Sequence, residues 1–205
     1  QQASSTSQDA LRLDPENRLF SRAPIRRLEA EAVRDALLFV SGELDETMRG
    51  TLLTLKNRAY FFDHTSIDKT TYDSPRRSIY LPVVRNNIYD VFQLLDFPDP
   101  AVSTGDRSKT VVASQALLML NSELVMNAAG KLSEKLLAET EPDEERLRRL
   151  YLLAFGRPAT EAERNADLEL LGNLMSQADS EQSARKAWSA LCHVTLAANE
   201  FLYLR

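Results

Sequence analysis

The sequence predicts a mainly α protein: an irregular helical bundle with a short extended or β-like strut and long ordered loops. Three observations lead there. Apolar residues recur at helical spacing in most of the chain, helix boundaries are written in residues such as Gly156, Pro158 and the Thr160/Glu163 pair, and the region from about 62 to 110 is broken by β-branched, Pro, Gly and Asp residues. Of the 205 residues 43% are hydrophobic and 27% charged, which suffices for one good-sized core or two small ones. Residues 1–13 are expected to be a linker and residues 14–205 a single helical domain, divisible at most into subdomains 14–105 and 106–205.

The elements follow in order. "PIRRLEAEAVRDALLFV" at residues 24–40 places Leu28, Val33, Leu37 and Val40 on one face, with Gly42 positioned to cap the far end. Its other side carries Arg26, Arg27, Glu29, Glu31, Arg34 and Asp35, mixed charges that predict a solvated face. "LLTLKNRAYFF" fits neither period, and "HTSIDKTTYD" reads as loop. In "RSIYLPVVR" apolar residues alternate, but Pro82 cannot donate to a ladder, so an extended buried strut is expected.

A short helix capped by Asn86 or Asn87 should follow, with Ile88, Val91, Leu94 and Leu95 as its stripe. Pro98 and Pro100 end it, and residues 96–110 form a loop. "VVASQALLMLN" is a helix, after which Asn121 or Ser122 caps a second one, either across a bend or as one kinked helix. Asp143 is placed to cap "EERLRRLYLLAF", Gly156 and Pro158 stop it, and Thr160 with Glu163 makes a capping box for the next. The final helix, "SARKAWSALCHVTLAANEFLYL", repeats Ala187, Leu191, Val194 and Ala198.

Composition narrows the partners. The 25 basic and 30 acidic residues give a net charge of -5 and are intermixed, so no broad basic field exists for phosphates and no nucleic acid is expected as a partner. No apolar run reaches the ~18 residues of a membrane span, and "QQASSTSQDA" lacks the basic and apolar regions of a signal peptide. The single cysteine, Cys192, packs most simply as a small apolar residue, and it excludes both a CxxCH haem attachment and a Cys-rich zinc site within these residues.

Chemistry-bearing clusters are sparse. Asp63, His64 and Ser66 are neighbours in sequence, which does not make a triad, and His193 beside Cys192 cannot complete a tetrahedral zinc site. Asp96, Asp99 and Asp106 sit in a Pro/Gly loop that a hard cation such as calcium tolerates, although turn formation accounts for the same aspartates. The densest stretch is "DSPRRSIYLPVVRNN". Ion pairs from Arg76, Arg77 and Arg85 to Asp73, Asp90 and Asp96 are expected to pin the strut. The alternative is a ligand or docking cleft formed by Arg76, Arg77, Tyr80, Arg85, Asn86, Asp96 and Asp99, suited to an anionic or sugar-like group such as an anionic polysaccharide. No catalytic, cofactor-binding or metal-ligating residue is assigned.

Taken together, "RRSIYLPVVRNN", "DFPDPAVSTGDRS", "ASQALLMLNSELV", "RLRRLYLLAFGRPATEAE" and "LAANEFLYLR" resemble the C-terminal domain-of-unknown-function family numbered fifteen fifty-three, abundant in planctomycete proteins. The resemblance implies a periplasmic or otherwise exported setting and a larger protein with an uncharacterised domain upstream and often a c-type cytochrome-like domain at the N-terminus. Haem belongs to that upstream region, and no family residue roles are transferable. The expected function is a non-catalytic helical module that docks on the upstream domains or binds a partner. The alternative is part of a polysaccharide-active enzyme or redox protein whose site the upstream domains complete. "LYLLAFGRPATEAE" with "ANEFLYL" is also similar to a helix-turn-helix pattern of repeated extracellular modules, in which Arg157 reaches helix-end carbonyls or a carboxylate such as Glu200.

Overall fold

The computed structural model describes residues 7–48, 50, 52, 72–85, 87–176 and 181–204. Among these, helices dominate and the one sheet has two short strands. Within the expected linker, Gln8–Leu13 form a short helix, α1, capped by the Ser7 hydroxyl and burying none of its residues.

Residues 24–28 are not helical. Strand β1 (Arg26–Arg27) pairs antiparallel with β2 (Tyr203–Leu204), and the Leu28 amide donates to the Leu202 carbonyl at 2.8 Å. Those long-range bonds hold the chain extended, so helix α2 starts later than its periodicity predicts, at Ala30–Ser41. Its end is as expected: Gly42 adopts φ 82°, where a residue with a Cβ is strained.

The expected strut is shorter than its alternation implied. Ser78–Tyr80 form a 3-10 turn, after which Leu81 is extended and buried. Helix α3 is only Asp90–Leu94, with Tyr89 at the N-cap position and no side-chain cap, so Asn87 does not serve as one. Asn86 lies outside the described residues, as do Asp63, His64 and Ser66.

Helices α4 (Ala113–Asn121) and α5 (Glu123–Leu137) are separate, joined at Ser122, whose hydroxyl accepts from the Val125 amide. In α6 (Asp143–Phe155) the N-cap is Pro142, not Asp143, whose carboxylate instead accepts from Arg146 at 2.8 Å. Gly156 at φ 69° ends α6, and the Thr160/Glu163 capping box opens α7 (Glu161–Met175) as the sequence indicates. Helix α8 (Glu181–Ala197) stops at Ala198, which is extended, before α9 (Asn199–Leu202) and β2. Chain direction must turn there for β2 to reach β1.

Helix α8 packs against α4, α5, α6, α7 and α9, and α5 also packs against α2. One core therefore draws on both halves of the chain, from Val33 and Leu37 through Leu132 and Leu136 to Trp188, Leu191 and Leu196. Val194, expected on the buried stripe of α8, is 60% exposed, because the inward face runs through Ala187, Trp188, Leu191, Cys192 and Leu196. No helix among the described residues is long and apolar enough to cross a membrane.

Candidate functional site

The arginine-rich stretch is clasped from α2. Arg34, only 2% exposed, donates through Nη1 to the Arg76 carbonyl at 2.8 Å and to the Ser78 hydroxyl at 3.2 Å, and through Nη2 to the Ser74 carbonyl. Beside it, the Asp35 carboxylate accepts from the Ser78 amide and hydroxyl, at 2.8 and 2.5 Å. Arg34 thus supplies charged donors to two backbone carbonyls, a buried one at Arg76 and a partly buried one at Ser74. The face of α2 expected to be solvated is in fact its most specific packing surface.

The pairs expected from the stretch itself do not form. Arg77 and Arg85 are exposed, and the side chain of neither makes an ion pair with a described residue. Arg76 is buried, donates to the Thr47 carbonyl at 2.8 Å and stacks over Tyr80, its guanidinium carbon 4.5 Å from the ring centroid. An isolated parallel bridge to Asp45 completes its anchorage. The backbone from 74 to 78 is already bonded to Arg34, Asp35 and Asp45, and the turn at Ser78–Tyr80 leaves the Arg77 side chain exposed.

Asp96 belongs to a different cluster. It sits at φ 63°, and its carboxylate accepts from Arg27, from the Thr110 amide at 2.8 Å and hydroxyl at 2.7 Å, and from Gln115 at 3.3 Å. Burial pushes its pKa up, but the bonds from Thr110 and Arg27 outweigh that and hold it below the usual carboxylate range, which rules against a general acid at this position. Arg107 forms a bidentate pair with Glu31, at 2.7 and 2.9 Å, closing the 96–110 loop over α2. The cavity between these groups is about 20 Å³, too small for a ligand.

Asp99 and Asp106 are exposed and accept from nearby amides, Ala101 and Arg107. The three aspartates are not gathered, and no group of three or more His, Cys, Asp or Glu among the described residues is placed to hold a metal ion. Neither Cys192 nor His193 makes a site: burial pushes the thiol up to about 12, and the imidazole Nε2 donates to the Met119 carbonyl at 3.2 Å.

A second arginine knot lies at the turn after α6. Arg157 pairs with Glu200 at 2.7 and 2.8 Å and with Glu163 at 2.7 and 2.8 Å, and stands over the rings of Tyr151 and Phe155. Tyr151 donates to Asp167 at 2.8 Å. The Arg157 bonds bring the Glu163 pKa down to about 2, with burial opposing and the Thr160 bonds assisting. A depressed carboxylate pKa gives stability that is present above the unfolded value near 4.5 and lost as pH falls toward 2. At these one-third exposed side chains the loss is expected to be about 1–2 kcal/mol after solvent screening. Melting curves between those pH values should show it in the native chain and lack most of it in Arg157→Gln.

Arg27, Arg34 and Arg107 are the residues that the sequence reading missed. A signal was present for Arg34: it lies four residues after Ala30 and three before Leu37, inside the buried arc of α2.

No match was found among curated proteins or among solved structures. A family model described as a protein of unknown function (DUF1553) matches residues 1–171, which include the clasped stretch, the 96–110 loop and the Arg157 turn. The match covers most of the chain, and the protein belongs to the DUF1553 family.

Proposed function

We propose that this chain is a non-catalytic helical module of a larger exported protein, periplasmic or otherwise, docking on upstream domains of that protein through the ridge formed by residues 77–85. One observation carries the reading. The backbone leading into the ridge, at residues 74–78, is held by Arg34 and Asp35, while Ile79 and Val83 are 77% and 54% exposed between Arg77 and Arg85, exposed cations that form no ion pair with a described residue. A rigid strip with apolar residues between two cations fits a partner surface that is apolar with an acidic border, and preorganisation lowers the entropy cost of association. The planctomycete architecture that the family likeness implies would offer its upstream domains as that partner, and any haem would lie there as well.

The same cations fit an anionic polysaccharide, the reading in which upstream domains complete an enzyme or redox site. The two are separated by a binding series using the upstream part of the full-length protein and, in parallel, sulfated and uronic-acid oligosaccharides. Docking predicts association with the upstream part, weakened at least tenfold in Arg77→Glu/Arg85→Glu at unchanged melting temperature. An oligosaccharide-induced rise in melting temperature that the same variant abolishes, without association of the upstream part, would replace docking with the glycan reading.

A further inference from the structure

The start of α6 is pinned from behind. Arg146 donates to the Leu136 and Glu139 carbonyls at 3.2 and 3.0 Å and to the Asp143 carboxylate at 2.8 Å, which holds the link that carries Pro142. After Gly156, Arg157 is bonded to Glu163, to Glu200 and to the Pro158 carbonyl, so Pro158 and Ala159 are held where they face the first turns of α6. Between these two walls lies a cavity of about 340 Å³, open to solvent and within the range of about 300–1,000 Å³ found for small-molecule sites. Its apolar lining is Leu147, itself fully buried, with Pro142, Pro158 and Ala159.

The charges around this cavity are unevenly bonded. Arg148 grips Glu145 through both carboxylate oxygens, with Nε at 3.0 and 2.9 Å and Nη2 at 2.6 Å. Arg164 and Glu144 line the same cavity, and the side chain of neither makes an ion pair or hydrogen bond with a described residue. Arg146, Arg148, Arg149 and Arg157 each pair with an acid, so Arg164 is the exception among the arginines of α6, α7 and the turn between them. The lining charges therefore sum to zero, with one cation and one anion left over. A simple anion would answer Arg164 and be repelled by Glu144, and a simple cation would meet the reverse. A zwitterion with an apolar side chain satisfies both charges and the apolar wall together.

We infer that this cavity binds a small zwitterion, an amino acid or short peptide with an apolar side chain. Its carboxylate sits on the planar Arg164 guanidinium, its ammonium on Glu144, and its side chain against Leu147 and the two prolines. Walls already fixed by Arg146 and Arg157 keep the ordering cost of binding low. None of these residues belongs to the ridge at 77–85, so this site and docking through the ridge stand or fall separately.

Calorimetric titration of the full chain with leucyl-leucine and with L-leucine tests it. Saturable binding at millimolar concentrations is expected, weakened about fivefold by Arg164→Gln and by Glu144→Gln, the scale of one exposed ion pair. Both side chains are unpaired in the free protein, so the melting temperature should not change. N-acetyl-leucyl-leucine, which lacks the ammonium, should bind the native chain and Glu144→Gln alike. Leucyl-leucine amide, which lacks the carboxylate, should do the same with Arg164→Gln. A dipeptide that binds more tightly than leucine marks a peptide end as the occupant, and the reverse marks a free amino acid. No saturable binding of either probe, or binding that either variant leaves unchanged, would overturn the inference. So would weakened binding seen only together with a lower melting temperature.

Discussion

Replacing Arg34 with alanine is expected to lower the unfolding free energy by about 3 kcal/mol, because it strips charged donors from a buried and a partly buried backbone carbonyl and leaves a cavity between α2 and residues 74–78. The carbonyls of Ser74 and Arg76 and the Ser78 hydroxyl all lose the same partner. Arg34→Lys should recover only part of the loss, since one ammonium cannot reproduce the planar fork that reaches several acceptors. Arg77→Ala is the contrast: its side chain is exposed, and the change should stay within about 0.5 kcal/mol. Denaturant unfolding of the three variants measures this directly. If Arg77→Ala proved the more damaging, the stretch would be pinned by its own arginines after all.

The second large effect is expected at Trp188, fully buried on α8, the helix that packs against α4, α5, α6 and α7. Trp188→Ala should cost about 3–5 kcal/mol, combining lost burial with a cavity that rigid neighbouring helices close only in part. Trp188→Phe should cost much less, about 1–2 kcal/mol. The indole N–H is buried and has no hydrogen-bond partner among the described residues, so phenylalanine removes an unsatisfied donor along with the lost volume. A phenylalanine variant as unstable as the alanine one would mean that the indole has a bonded role.

These two residues mark the limit of what the sequence discloses. Trp188 lies on a periodic apolar helix, and its burial follows from local pattern. The caps at Gly42, Gly156 and Thr160 were equally legible, because a left-handed glycine and a capping box act within a few residues. What was not legible is the choice of distant partner. Arg27 had an acidic neighbour four residues on, at Glu31, yet it pairs with Asp96, 69 residues away, while Glu31 takes Arg107. The start of α2 was misplaced for the same reason: its periodicity continues upstream, but Tyr203–Leu204 arrive from the other end of the chain and hold Arg26–Arg27 extended. Of the proposed cleft, Arg76 and Tyr80 meet, Asp96 and Asp99 lie in the neighbouring loop, and Arg77 and Arg85 remain on the surface.

That surface placement gives the docking account its most direct test. A photo-reactive amino acid in place of Ile79 in the full-length protein, with another at the exposed Glu169 as control, reports what lies against the ridge. The account predicts a specific cross-link from position 79 to an upstream domain, reduced when Arg77 and Arg85 are reversed in charge, and none from position 169. Equal, non-specific labelling from both positions would contradict it, and the ridge would then be no more than the outer side of a scaffold.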